Sequence, residues 1–256
     1  MSKSWVRFRH GQAIVFGESD GERVTPCIGS PFDRYAPSAA ALPLAGLPLL
    51  VPCQPGKFIG LWNNLRSRAE HEGWTRPEHP LYFIKTDNVI AAPGDAIRRP
   101  RHYDGPVVFE GELGIVIGRH CSDIEAADAD AFILGYTCVN DVTARGILKA
   151  DPSFPQWSRA KSFDTFGPFG PQIVTGLDPE ALVVRTRVNG VLQQDYPVSD
   201  MFFGPREIVA RLSRDMTLAP GDLIACGTGL GAGPMASGDL VEVEISGIGI
   251  LANRFI

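Results

Sequence analysis

The stretch Gly105–Arg119, GPVVFEGELGIVIGR, restricts the fold more than any other part of the chain. Val107, Val108, Phe109, Leu113, Ile115, Val116 and Ile117 are β-branched, aromatic or aliphatic and read as one buried strand. Glu110 and Glu112 stand in its middle, two residues apart. Side chains alternate faces along a strand, so both carboxylates point the same way, about 7 Å apart. At an effective dielectric of about 20, like charges at that separation repel by roughly 2 kcal/mol. Burial adds a desolvation cost. A cation is the simplest compensation; an arginine for each acid, or a set of backbone donors, is the other.

The chain of 256 residues can hold one large domain, or one domain with a small appendage. Its 28 glycines and 21 prolines point to a turn-rich, sheet-rich α+β fold with few helices rather than a helical bundle. A net charge of −5 argues against a nucleic-acid surface, yet leaves room for a basic pocket that takes a small anion. Cys27, Cys53, Cys121, Cys138 and Cys226 are scattered without CxxC spacing, which favours reduced, buried thiols over a zinc site. His10, His71, His79, His102 and His120 lack metal-ligand spacing, and only His71 stays a candidate. The N-terminus shows no apolar core of signal length and no window reaches a membrane span, so a cytoplasmic enzyme or binding protein is expected.

Residues 4 to 30 read as short strands with a hairpin turn at Asp20-Gly21. An Ala-, Leu- and Pro-rich stretch then leads to a soft boundary near Pro55, giving a β-rich N-terminal segment (1–55) and a main domain (56–256). A helix is expected from Asn63 to Glu72, ending at Gly73 and able to cover a site, with others in SDIEAADADAFI and GPREIVARLSRD. Asn189-Gly190 marks a second hairpin, and two later turn-plus-strand units each open with Gly-Asp. Two catalytic-looking patterns fail on context. GESDG matches a nucleophile elbow, but no helix follows it. GTGLGAG (227–233) lacks the G-x-G-x-x-G spacing and the helix of a dinucleotide loop.

Asp141 lies where the apolar run before Asn140-Asp141 breaks, a strand end. Three carboxylates without sulfur or imidazole favour a hard cation, Mg²⁺ or Mn²⁺. Lys161, among aromatics and glycines, either neutralises the acids or a substrate, or is solvated.

VVFEGELGIVIGR, GYTCVNDVTAR, AKSFDTFGPFGP, RVNGVLQQ, LAPGDLIACGTG and GDLVEVEISGIGIL occur in one order, and together they resemble the fumarylacetoacetate hydrolase family from roughly Pro80 to the C-terminus. The resemblance implies a mixed β-sandwich or roll, a homodimer, and a Mg²⁺- or Mn²⁺-dependent site. Its metal ligands fall on Glu110, Glu112 and Asp141, its active-site lysine on Lys161, and its substrate-side residues on Lys85, Gly227 and Thr228. Arg145 would support the site. The segment LWNNLRSRAEHEG departs from the pattern: the position of the water-activating histidine is assigned to Arg66, with Glu70 and His71 as possible substitutes. Gly146, Leu148 and Gly229 are further departures. The expected activity is metal-dependent chemistry on a small 2-oxo or β-diketo acid through an enolate. Hydrolytic C–C cleavage is named first, as the family's usual activity, with decarboxylation or isomerisation close behind. A binding protein without catalysis is the reading from another class.

Overall fold

A computed structural model describes residues 2–256. Thirteen principal strands and three α-helices run in the order β1 (Ser4–His10), β2 (Ala13–Ser19), β3 (Arg23–Gly29), β4 (Phe58–Trp62), α1 (Arg66–Glu72), β5 (Leu81–Lys85), β6 (Gly111–Ile117) and β7 (Ile133–Asn140). Then follow α2 (Trp157–Lys161), β8 (Gly167–Val174), β9 (Val183–Val188), β10 (Val191–Pro197), α3 (Pro205–Asp215), β11 (Leu223–Ala225), β12 (Leu240–Ile245) and β13 (Gly249–Phe255). The larger sheet has the order β3-β2-β1-β8-β7-β6-β11-β4-β5, so the N-terminal strands continue the main sheet through the β1–β8 pair. The Pro-rich stretch contributes too: Tyr35–Pro37 and Leu42–Pro43 pair with β3, and Leu49–Leu50 with β1. The smaller sheet runs from Ala96–Ile97 through β13, β12 and β9 to β10.

The two sheets pack across β6, which is buried along its whole length. Leu113, Ile115 and Ile117 meet Val184 of β9, Val243 and Ile245 of β12, and Ile208, Val209 and Leu212 of α3. Val116, on the opposite face, joins Phe58, Val139, Phe169 and Leu223. Burying each such side chain contributes about 1.5–3 kcal/mol, which is what holds β6 central. At Gly111 the two sheets approach closely, since a Cβ there would lie 2.0 Å from Thr186 Oγ1 of β9. That contact explains the glycine between the two glutamates.

Turn chemistry is repeated. In Ala92-Pro-Gly-Asp95, Ala219-Pro-Gly-Asp222 and Ala236-Ser-Gly-Asp239 the Ala N–H donates to the Asp Oδ2 at 2.7 Å. The Asp N–H returns to the Ala carbonyl at 3.0–3.1 Å, and each glycine takes φ between +85° and +97°. This is the type II pattern with its obligatory glycine. The hairpins at Asp20-Gly21 and Asn189-Gly190 fall where expected, the latter with both residues at positive φ.

Two expectations are corrected. Val107–Ile117 is not one strand: Val107–Val108 pairs with Thr143–Ala144, the chain leaves the ladder at Phe109-Glu110, and β6 begins at Gly111. The Glu110 N–H is taken by the Asn140 side chain at 3.0 Å, a side-chain acceptor standing in for the ladder. SDIEAADADAFI forms a 3-10 turn, Ala126–Ala131, rather than an α-helix. Glu125, Asp128 and Asp130 crowd it, aspartate competes locally for backbone donors, and Ala129 is the residue it buries. The other two helices form, the first shortened to Arg66–Glu72 and stopped by Gly73 at φ +70° as its sequence suggests.

Candidate active site

Antiparallel pairing of β6 with β7 sets Gly111 opposite Asn140, so the residues flanking that pair, Glu110 and Asp141, leave the sheet together. The Asp141 N–H donates to the Glu110 carbonyl at 2.8 Å and locks them. Glu110, Glu112 and Asp141 each place a carboxylate oxygen within 4.8 Å of the others. The break before β6 is what allows this, since an unbroken strand would hold the glutamates farther apart.

The compensating charges are in the chain. Lys161, at the end of α2, bridges Glu110 Oε2 and Asp141 Oδ2 at 2.5 Å each. Lys85, at the end of β5, pairs with Asp141 Oδ1 and donates to the Phe166 carbonyl at 2.9 Å. Glu112 receives the Gly227 N–H at 2.7 Å. The glycine-rich run 227–233 therefore offers a backbone donor to a carboxylate.

Burial and charge act in opposite directions here. Burial, then the neighbouring Asp141, pushes the Glu112 carboxyl well above its usual range, and Lys161 only partly offsets them. Burial also disfavours ionised Asp141, but Lys161 and Lys85 outweigh it and hold the carboxyl low. Lys85, wholly buried, is lowered by desolvation, whereas at Lys161 the attraction of Asp141, Glu110 and Glu112 exceeds that cost and raises it. Glu112 is thus the acid that the chain's own cations leave under-compensated. Three hard oxygen donors, one of them under-compensated, fit a divalent cation.

A scaffold behind the triad was not legible in the sequence. Gln194 Oε1 accepts from the Gly111 N–H at 3.0 Å, and its Nε2 donates to Thr228 Oγ1 at 2.8 Å. Tyr196 Oη and Thr228 Oγ1 both donate to the Gly111 carbonyl, at 2.6 and 2.9 Å. The Thr228 hydroxyl is therefore spent on holding Gly111. Asn64, also buried, joins α1 to this strand end through the Cys226 carbonyl (2.8 Å) and the Phe203 N–H (3.0 Å). Gln194 stands beside Gln193 and Asp195, and Asn64 beside Asn63, so nothing local marks which of these neighbouring polar residues is the buried one.

Helix α1 presents Arg68 to the triad: Nη2 is 3.8 Å from Glu110 Oε1, and Nη1 donates to the Thr228 carbonyl at 3.3 Å. Arg66, assigned that place from sequence, lies elsewhere, its Nη1 donating to the Ser199 carbonyl at 2.8 Å and its guanidinium beside Phe202. The two are about half a helical turn apart, so only one can face the triad. Glu70 and His71 lie exposed on α1, outside the gathered set. Arg145 is exposed too, and among the described residues its side chain has no polar partner.

A two-sheet fold that gathers three carboxylates and two buried lysines at its strand ends defines the class. Residues 57–256 match the family described as fumarylacetoacetate (FAA) hydrolase C-terminal, and residues 4–52 match Rv2993c-like, N-terminal. The chain belongs to the fumarylacetoacetate hydrolase family, whose members include isomerases and hydrolases. It is 37% identical over 216 residues to the oxaloacetate tautomerase YisK of Bacillus subtilis (strain 168), covering 80% of this chain and 71% of that one. The crystal structure of 2-hydroxyhepta-2,4-diene-1,7-dioate isomerase from Mycobacterium marinum superposes with a TM-score of 0.90 at 39% identity, over 99% of each chain. Maleylpyruvate hydrolase from Sphingobium sp. SYK-6, in complex with manganese(II) and pyruvate, gives 0.81 at 26% identity, over 99% of this chain and 98% of that one. Among the described residues no helix is long and apolar enough to cross a membrane.

Proposed function

We propose that this protein catalyses a divalent-metal-dependent 1,3-proton transfer, enolisation or its reverse, on a small 2-oxo acid, and so is a tautomerase or isomerase. The observation that carries this reading is Arg68. The helix that would supply a water-activating base presents a guanidinium to Glu110 and the Thr228 carbonyl. A guanidinium stays protonated at physiological pH: it binds a carboxylate and does not take a proton from water. Relatives named as a tautomerase and an isomerase, at 37% and 39% identity, support the same reading.

Glu110, Glu112 and Asp141 are the residues that would hold Mg²⁺ or Mn²⁺, and such an ion supplies Lewis-acid polarisation of the 2-oxo acid when bound. Arg68 is placed to bind a carboxylate of the substrate. Lys161 Nζ holds a proton beside Glu110 Oε2 and Asp141 Oδ2 and is the group that exchanges it with substrate. In the ketonising direction Lys161 gives its proton to C3 as the C2–C3 double bond becomes single, the enol O–H becomes the 2-oxo group, and the proton that hydroxyl loses returns to the Lys161 amine; enolisation is the reverse, and no water adds. Lys85, fully buried, positions Asp141 and stays off the substrate. The reading takes the protein as a cytoplasmic homodimer, its assembly checked by sedimentation velocity.

The test follows the ultraviolet absorbance of enol-oxaloacetate and of several acylpyruvates with Mg²⁺ or Mn²⁺, and again with EDTA. Metal-dependent loss of the enol without CO₂ is expected. Release of CO₂ would make the protein a decarboxylase, and release of two acids from an acylpyruvate a hydrolase. Either outcome overturns the assignment.

A further inference from the structure

Three of the chain's four tryptophans meet beside the triad, each from a different element. Trp62 ends β4, Trp74 follows the Gly73 stop of α1, and Trp157 opens α2. Trp62 packs 4.8 Å from Trp74 and 5.8 Å from Trp157 between ring centroids. Trp157 in turn stacks on Phe83 of β5 at 5.2 Å with the planes 10° apart. Both ends of this aromatic run touch the site's cations. Lys161 Nζ lies 5.0 Å from the Phe83 centroid, and the Arg68 guanidinium 5.9 Å from Trp74. Since Arg68 and Lys161 both reach Glu110, the contacts close a circuit: lysine, four aromatic rings, arginine and carboxylate.

The fourth tryptophan, Trp5, is 2% exposed in the core, whereas Trp62, Trp74 and Trp157 are all half-buried. Three large rings serving only to pack α1 and α2 would bury their faces, as Trp5 does. Each of the three keeps part of its surface open, and the run they form ends on two cations of the site; aromatic rings favour offset or stacked partners at such spacings.

We propose that Trp62, Trp74 and Trp157, backed by the buried Phe83, form a specificity wall that selects 2-oxo acids with a planar aryl substituent at C3, with the acid end held among the cations and the planar end against the indoles. This rests on the enolising activity proposed above. It departs from a preference for short aliphatic diacids, for which a wall of guanidinium or backbone donors would be the better complement.

The experiment compares enol-phenylpyruvate with enol-oxaloacetate as substrates of the full-length, Mg²⁺-loaded protein, read as the ratio of their kcat/KM values. A ratio at least roughly ten-fold in favour of phenylpyruvate is expected, the size of one good stacking contact. Trp157→Leu, which keeps apolar bulk and removes the stacking face, should lower that ratio about ten-fold, and Trp157→Phe should restore most of it. A wild-type ratio near one, or a loss of both activities in equal proportion in Trp157→Leu, overturns the specificity wall while leaving the enolising activity standing. If neither substrate turns over, the enolising reading has failed and calorimetric binding decides: phenylpyruvate at least about ten-fold tighter than pyruvate sustains the wall, and equal affinities overturn it.

Discussion

Asp141 and Asp222 are both fully buried carboxylates, and their surroundings differ in kind. Asp222 accepts the backbone N–H groups of Lys57 (2.8 Å) and Ala219 (2.7 Å), with the Lys57 ammonium added at 2.6 Å. Asp141 is held at its carboxylate by two ammonium groups, those of Lys85 and Lys161. Backbone donors are fixed by the turn that carries them and cannot be exchanged without unfolding it. An ammonium is a compact charge on a flexible stem, free to re-aim when another cation or a substrate arrives. Asp222 closes the Ala-Pro-Gly-Asp turn before β11; Asp141 belongs to a site.

The sharpest way to break this comparison is to remove each acid. Asp222→Ala should cost about 3–5 kcal/mol, because it strands buried donors and a partly buried ammonium. Urea unfolding would show this, while calorimetric Mg²⁺ affinity of the folded protein should stay within about two-fold. Glu112→Gln should do the reverse, lowering Mg²⁺ affinity by roughly a hundred-fold or more without destabilising the metal-free fold. Equal effects of the two substitutions on stability would dissolve the distinction.

Titration sharpens it. Glu112 carries a carboxyl raised above its unfolded value, so between the two values the folded state binds the extra proton and stability falls as pH rises. Asp141 acts oppositely: its lowered carboxyl stabilises the fold fully above the usual aspartate range, and that contribution is lost as pH falls below it. In EDTA, Glu112→Gln and wild type should therefore have similar urea midpoints near pH 4, with the variant pulling ahead as pH rises to 8. A constant offset across that range would show that Glu112 is compensated after all.

Smaller effects separate the two arginines of α1. Arg68→Ala should lower kcat/KM about ten-fold, whereas Arg66→Ala, which loses an exposed contact to the Ser199 carbonyl, should stay within about two-fold. The smallest expected signal is from the five cysteines, all free and buried, with Cys53 pushed up to about 12 by burial. Ellman's reagent at pH 8 should label little of the native protein and five thiols after guanidinium unfolding.

Local chemistry was sufficient to read several features. Asn189-Gly190, Asp20-Gly21 and the Gly-Asp turns each need a residue tolerant of positive φ, so their sequences name their geometry. The apolar run around β6 implied burial, and three acids without imidazole or sulfur implied an oxygen-ligand site. The break at Phe109-Glu110 was not legible, because it depends on Asn140, thirty residues away, taking the Glu110 N–H. Nor was the choice of Arg68 over Arg66, since the face a short helix turns to a site is set by what it packs on, here Asn64 and the strand end at Cys226. The scaffold of Gln194, Tyr196 and Thr228 around Gly111 likewise exists only once β10 and the 227–233 loop are brought to β6. By itself the sequence determined which residues must be buried, where the chain turns, and that its paired acids require compensation. Tertiary structure alone decided which cations meet them, because charge compensation is a matter of distance across the fold and not of spacing along the chain.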